Sequence, residues 1–224
     1  MPKTANTPYE TRAIKGIEVR AAPEGSDSIG VLEGYAAVFN SDSVEFEGWE
    51  KNWIERIEPG AFARSLREQP DIKALWSHRS DMPIARAPGT LDIREDDTGL
   101  KVSIQLADTT VGRDLLANVR AGNVDAMSFG FEMRSQRIEE NDDIVVRTLT
   151  DVDLIEVSAV VWPAYPDTSL AIRSIERELK EQREDDDGAT GPEGPTPGDD
   201  PGATPKPSPA PQRRLWASRL GITD

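Results

Sequence analysis

The stretch Asn123-Val124-Asp125-Ala126-Met127-Ser128-Phe129-Gly130-Phe131-Glu132-Met133, "NVDAMSFGFEM", places a serine inside an otherwise apolar run. Successive side chains of a β-strand point to opposite faces, so Met127, Phe129, Phe131 and Met133 share one face while Ser128, Gly130 and Glu132 share the other. The apolar set takes the core and the serine leaves it. Its face is then either an ordinary solvated surface or the seat of a nucleophile, and the strand alone allows both.

Working outward, short alternating or apolar runs recur with turn residues between them, the pattern of a strand-rich fold with few helices. Strands are predicted near Ile14–Arg20, Val31–Phe39, Ile72–His78, Gly89–Arg94, Leu100–Leu106, Val124–Arg134, Ile144–Leu149 and Val152–Val161. "EDDTG" between Leu91–Arg94 and Leu100–Leu106 is a strong hairpin signal. A helix is predicted over "EPGAFARSLREQ", with Pro59 in its first turn and Phe62 and Leu66 on one face. A second, "TTVGRDLLANVRAGNV", has Thr109 or Thr110 as N-cap, a buried stripe of Val111, Leu115, Leu116 and Val119, and Gly122 as its stop. A third begins near Thr168 or Ser169 and fades into an acidic segment.

That segment, Glu181–Pro211, carries no aromatic residue and no aliphatic one larger than Ala. It cannot bury enough apolar surface to offset its ordering entropy and reads as a disordered linker. The expected organisation is a flexible N-terminus over residues 1–11, a folded domain over 12–175, a helix end and linker over 176–211, and a short basic segment, "QRRLWASRLGITD", over 212–224. Leu215, Trp216 and Leu220 with Arg213, Arg214 and Arg219 make this last piece either a tethered docking peptide or a frayed terminus.

The net charge of −15 and the lack of a clear Lys/Arg cluster on any face of the folded region argue against a nucleic-acid partner. There is no cysteine, which removes disulfides, thiolate catalysis and zinc–thiolate sites and fits a reducing compartment. No apolar signal core or membrane-length run is present, so a soluble intracellular product without membrane association is expected.

His78, the only histidine, ends the apolar stretch "IKALWSHRS". Alone it reads more readily as a structural or merely exposed residue than as a catalytic one. Glu156 lies between Leu154, Ile155 and Val157, where an unpaired carboxylate would be costly and a partner is required. A serine hydrolase needs a hydroxyl nucleophile, a base and a group that orients the base, roles that Ser128, His78 and Glu156 can fill. Ser158, two residues beyond Glu156, is a candidate hydrogen-bond partner behind the triad. "MSFGF" is not a Gly-x-Ser-x-Gly elbow, so spacing alone does not establish the triad. Ser77 and Ser80 sit too near His78 in sequence to be held by a separate element, Asp125 and Asp153 read as solvated strand-start residues, and Trp53, Trp76 and Trp162 read as core. One histidine and scattered carboxylates make no convincing metal ligand set, and no cofactor is expected.

The ordered series "EGYAAVFN", "IEPGAFARSL", "LWSHRSDMPIAR", "DTTVGRDLLANVRAGNVDAMSFGF" and "LIEVSAVVWPAYPDTSLA" resembles the prohead (capsid maturation) protease family of tailed bacteriophages over about Gly30–Ala171. The resemblance implies an α+β fold like that of herpesvirus assemblins, a β-barrel of about seven or eight mostly antiparallel strands surrounded by a few helices. It implies His78 as base, Ser128 as nucleophile and Glu156 as the third member, where assemblins use a second histidine. Tyr165 departs from the small polar residue usual after Pro-Ala.

The implied function is serine endopeptidase action on scaffold protein or the scaffolding extension of the major capsid protein, and on the protease itself. The implied location is the phage procapsid in the host cytoplasm, with the capsid and scaffold proteins as partners and dimerisation as a further expectation. The competing reading is a catalytically silent assembly scaffold or adaptor.

Overall fold

The computed structural model describes residues 9–48, 51–161, 175, 177, 179, 180 and 182. The acidic linker apart from Gln182, the basic C-terminal segment, Trp162 and Tyr165 lie outside the described residues. Ten strands and two helices follow one another as β1 Tyr9–Lys15, β2 Ile17–Arg20, β3 Ser28–Val38, β4 Asn52–Ile57, α1 Ala63–Glu68, β5 Lys73–Trp76, β6 Arg79–Arg86, β7 Leu91–Glu95, β8 Gly99–Ala107, α2 Thr110–Arg120, β9 Ala126–Glu140 and β10 Ile144–Val160. Of the third helix, the described residues between 175 and 182 are helical.

The fold is α+β and mostly strand, but its strands form two sheets and not the expected closed barrel. One sheet runs β1-β9-β10-β5-β6 with β4 also on β10; the other runs β2-β3-β8-β7. The division occurs at Gly16, whose φ of 128° is open to glycine and strained for other residues. There the predicted single strand Ile14–Arg20 breaks, leaving β1 in one sheet and β2 in the other. Met127, Phe129 and Phe131 face the second sheet and pack with Leu32, Leu100, Val102 and Ile104 in one core. Phe129 stacks on Phe131 at 5.1 Å and meets Phe62, just before α1, edge-on at 5.2 Å. Each such ring contributes about 2 kcal/mol of burial.

β10 is the spine. β9 pairs antiparallel along one side of it, while β4 and β5 pair parallel with successive parts of the other. Between them the segment leading into α1 covers the open edge: Glu58 N–H donates to Leu149 O, Val152 N–H to Ala61 O, and Leu154 N–H to the buried Ser65 Oγ at 2.9 Å. These bonds supply the partners that burial requires of backbone donors. α2 forms as its sequence predicts, with Thr109 Oγ1 accepting Gly112 N–H at 3.0 Å and Leu115, Leu116 and Val119 buried.

Residues 9–11, expected in a flexible N-terminus, are part of β1. Glu10 and Arg12 point inward and are buried, which disguises the strand in sequence. Arg12 pairs with Glu10 at 2.7 Å and Glu55 at 2.5 Å, and the fully buried Arg147 pairs with Glu10 at 2.8 Å and Glu55 at 3.0 Å. Two positive and two negative groups thus neutralise one another inside the protein, the condition under which buried charge is tolerated.

Candidate active site

The outer face of β9 and β10 gathers the candidate residues. Ser128 and Ser158 are direct partners across the antiparallel ladder, and Gly130 faces Glu156. Glu156 reaches that face through a β-bulge: Leu154 opposes Phe131 and Glu156 opposes the adjacent Gly130, so Ile155 is the extra residue. The bulge lets Leu154 and Val157 both enter the core while Glu156 and Ser158 turn outward. Strict alternation would have sent Glu156 into the core with Leu154.

His78 arrives on the β5–β6 hairpin, whose two-residue turn is Ser77-His78, since Trp76 pairs with Arg79. Both turn residues have positive φ, 54° and 59°, the left-handed region that such turns require and that usually selects Asn or Gly. Holding a serine and a histidine there costs on the order of 1–3 kcal/mol each. Three contacts with β10 offset it: Ser77 N–H donates to Ala159 O at 2.9 Å, His78 N–H to Ser158 Oγ at 3.1 Å, and His78 Nδ1 lies 2.7 Å from Glu156 Oε1.

A carboxylate only accepts, so this pairing assigns the imidazole proton to Nδ1 and leaves Nε2 with its lone pair. Nε2 is buried and has no hydrogen-bond partner among the described residues. Glu156, 3 % exposed, also accepts from Ser158 Oγ at 2.6 Å on Oε2 and from Tyr9 Oη at 2.8 Å on Oε1. Three donors around one buried carboxylate supply the partners the sequence demanded.

Ser128 is fully buried, and its Oγ donates to the main-chain oxygen of Arg12 on β1 at 2.7 Å, not to His78. The predicted residues therefore meet on one face, with His78, Glu156 and Ser158 bonded to one another and Ser128 engaged by β1. Asp153, read as a solvated strand-start residue, is instead buried. Burial would raise its carboxyl, but Arg134 and Arg64 outweigh burial and hold it below the usual range. Trp53 is buried as expected, while Trp76 is half-buried.

Sequence reasoning missed Tyr9 and Gly130. A Cβ on Gly130 would lie 2.0 Å from Tyr9 Oη and 2.5 Å from Glu156 Oε1, so the glycine makes room for their hydrogen bond. The interruption of the Met/Phe run by Gly130 was the available signal, because a glycine inside a strand often marks close approach by another group. A cleft of about 380 Å³ opens beside Arg12, Ala37, Val44 and Phe129. Its lining takes residues from both faces of β1, Arg12 and Ile14 on one and Ala13 and Lys15 on the other, and does not include Ser128 itself. Among the described residues, no group of three or more His, Cys, Asp or Glu side chains could hold a metal ion, and no helix is long and apolar enough to cross a membrane.

No curated protein matches the chain. Among solved structures, the capsid assembly protease of bacteriophage T4 aligns with a TM-score of 0.42 and 12 % identity, over 68 % of this chain and 98 % of that one. Residues 15–183 match the caudovirus prohead serine protease family, and the chain belongs to that family.

Proposed function

We propose that the chain is a capsid-maturation endopeptidase in which Ser128 is the nucleophile, His78 the general base and Glu156 the residue that orients and supports the base. The observation that carries the reading is the His78–Glu156 pair: Nδ1 is bound at 2.7 Å, Nε2 is buried and bare, and both residues adjoin the face that bears Ser128. A rotation about the Ser128 Cα–Cβ bond exchanges the Arg12 carbonyl for His78 Nε2 as its acceptor. Oγ then attacks the scissile carbonyl carbon while its proton passes to Nε2, and Glu156 stabilises the imidazolium through Nδ1–H. Collapse of the tetrahedral intermediate breaks the C–N bond, and His78 returns the proton to the leaving amine. Water then hydrolyses the acyl ester by the same proton path in reverse.

The substrates are scaffold protein, the scaffolding extension of the major capsid protein, and the protease itself, acted on inside the procapsid by a chain that dimerises. The acidic linker and basic Trp-bearing segment serve as the leash that carries the enzyme into the shell. Deletion of residues 212–224 tests that part: fewer protease copies per prohead are expected, and unchanged packaging contradicts it.

A silent adaptor remains the second reading, favoured by the complete burial of Ser128 and its bond to β1. A fluorophosphonate probe separates the two, because Ser128 Oγ attacks phosphorus and fluoride departs only if His78 accepts the proton. An adduct on the Ser128 peptide, lost in Ser128→Ala and strongly slowed in His78→Ala, is expected of the enzyme. No adduct on any serine, or one indifferent to His78, contradicts the assignment.

A further inference from the structure

The third partner of Glu156 comes from a strand that starts before the segment matched to the family, since the match begins at residue 15 and β1 at Tyr9. Tyr9 Oη and His78 Nδ1 share one oxygen, Glu156 Oε1, at 2.8 and 2.7 Å. Tyr9 does not reach it by chance. Its strand runs the length of a seven-residue ladder with β9, and its neighbours Glu10 and Arg12 are tied into the buried network with Glu55 and Arg147. Gly130, beneath the hydroxyl, leaves the space a Cβ would fill.

We infer that Tyr9 is a positioning residue of the protease, acting through Glu156: its hydroxyl fixes Oε1 against the imidazole and takes up part of the carboxylate charge. This rests on the triad reading and adds a member to it. A carboxylate deprived of a donor holds an imidazolium more tightly, so without Tyr9 the base remains protonated to higher pH. Burial, the Glu156 charge and the hydrogen bond together keep the Tyr9 phenol well above its usual range, so it stays a donor across the working range of the enzyme. Tyr9, His78 and Glu156 are the ionisable groups bonded into this cluster. The packed strands bring charged groups beside it: Glu132 opposite Tyr9 on β9, Lys73 opposite Glu156 on β5, and the Arg79–Asp81 pair on β6, which follows His78. Lys73 is paired with Asp71, so its charge is already met.

The test is Tyr9→Phe in the full chain, which keeps the ring of a residue that is 44 % exposed. Two quantities are read. The first is the rate of fluorophosphonate labelling of Ser128 against pH. Its acid limb moves to higher pH, so the loss of labelling is greatest on the acid side and fades as pH rises. The second is the downfield Nδ1–H proton resonance of His78, unambiguous because the chain has one histidine. It moves in Tyr9→Phe, and moves equally when Ser128→Ala is also present.

A loss of labelling uniform over pH, or an unmoved resonance, overturns the inference. If Ser128→Ala instead leaves proteolysis intact, the nucleophile assignment fails while the shifted resonance still upholds the role of Tyr9 toward Glu156. The two failures are therefore distinguishable.

Discussion

Ser158 holds His78 without touching its ring: Ser158 Oγ accepts the His78 backbone N–H at 3.1 Å and donates to Glu156 Oε2 at 2.6 Å. One hydroxyl thus fixes both the turn that carries His78 and the carboxylate bonded to its ring.

Ser158→Ala removes both bonds and leaves the left-handed His78 less well held. Loss of one hydrogen bond to a charged group costs about 1.5–3 kcal/mol, which corresponds to a rate loss of about 10- to 100-fold. Glu156→Gln keeps the shape but loses the charge and presents the wrong group to Nδ1, with an expected loss of about 10⁴-fold. The ordering is checked by labelling rates of the two variants measured side by side. Equal losses would mean that Ser158 does more than position.

Gly130→Ala forces a methyl group into the space used by Tyr9 Oη and Glu156 Oε1, at 2.0 and 2.5 Å. Both are ends of side chains and yield by moving apart, so the fold survives with a cost of about 1–3 kcal/mol. Activity falls further than stability does. Thermal melting and labelling rate, measured together, check this; a fully active Gly130→Ala would show that the Tyr9–Glu156 contact is dispensable.

The buried network predicts acid sensitivity. Burial would raise the Glu10 carboxyl, but hydrogen bonds and charge from Arg147 and Arg12 outweigh it and hold it below its usual value. A carboxyl lowered on folding contributes stability that is present above its unfolded pKa, near 4.5, and lost as pH falls through the lower folded value. Glu10→Gln is therefore less stable than wild type at pH 7, with a difference that narrows below about pH 4. Arg147→Met, which leaves Arg12 alone against the two buried carboxylates, costs about 3–5 kcal/mol at neutral pH. Urea unfolding across that pH range reads both.

The first half of β9 and α2 were legible in the sequence because their inward faces are apolar and their boundaries carry turn or cap residues; the polar continuation of β9 from Ser135 to Glu140 was not. β1 and β4 were not. Each directs charge inward, Glu10 and Arg12 from β1 and Glu55 from β4, and the network that neutralises them includes Arg147, 137 positions from Glu10. β6 was hidden for another reason: an edge strand can carry Pro83 and the charged Arg79 and Asp81, which a periodicity search scores as loop. The serine, histidine and glutamate were each readable as residues needing an explanation. Their meeting was not, because it depends on the bulge at Ile155 and on a left-handed turn at Ser77-His78, neither of which has a turn-forming glycine to announce it.

The central claim is that Ser128 cuts capsid-assembly proteins. The most direct measurement is intact-mass spectrometry after co-expression of the chain, wild type or Ser128→Ala, with the neighbouring major capsid and scaffold proteins. Defined fragments with wild type and none with Ser128→Ala are the predicted result. Identical fragments with both would show that the nucleophile lies elsewhere, and uncut proteins with both, in assembled shells, would contradict the claim in favour of a silent assembly factor.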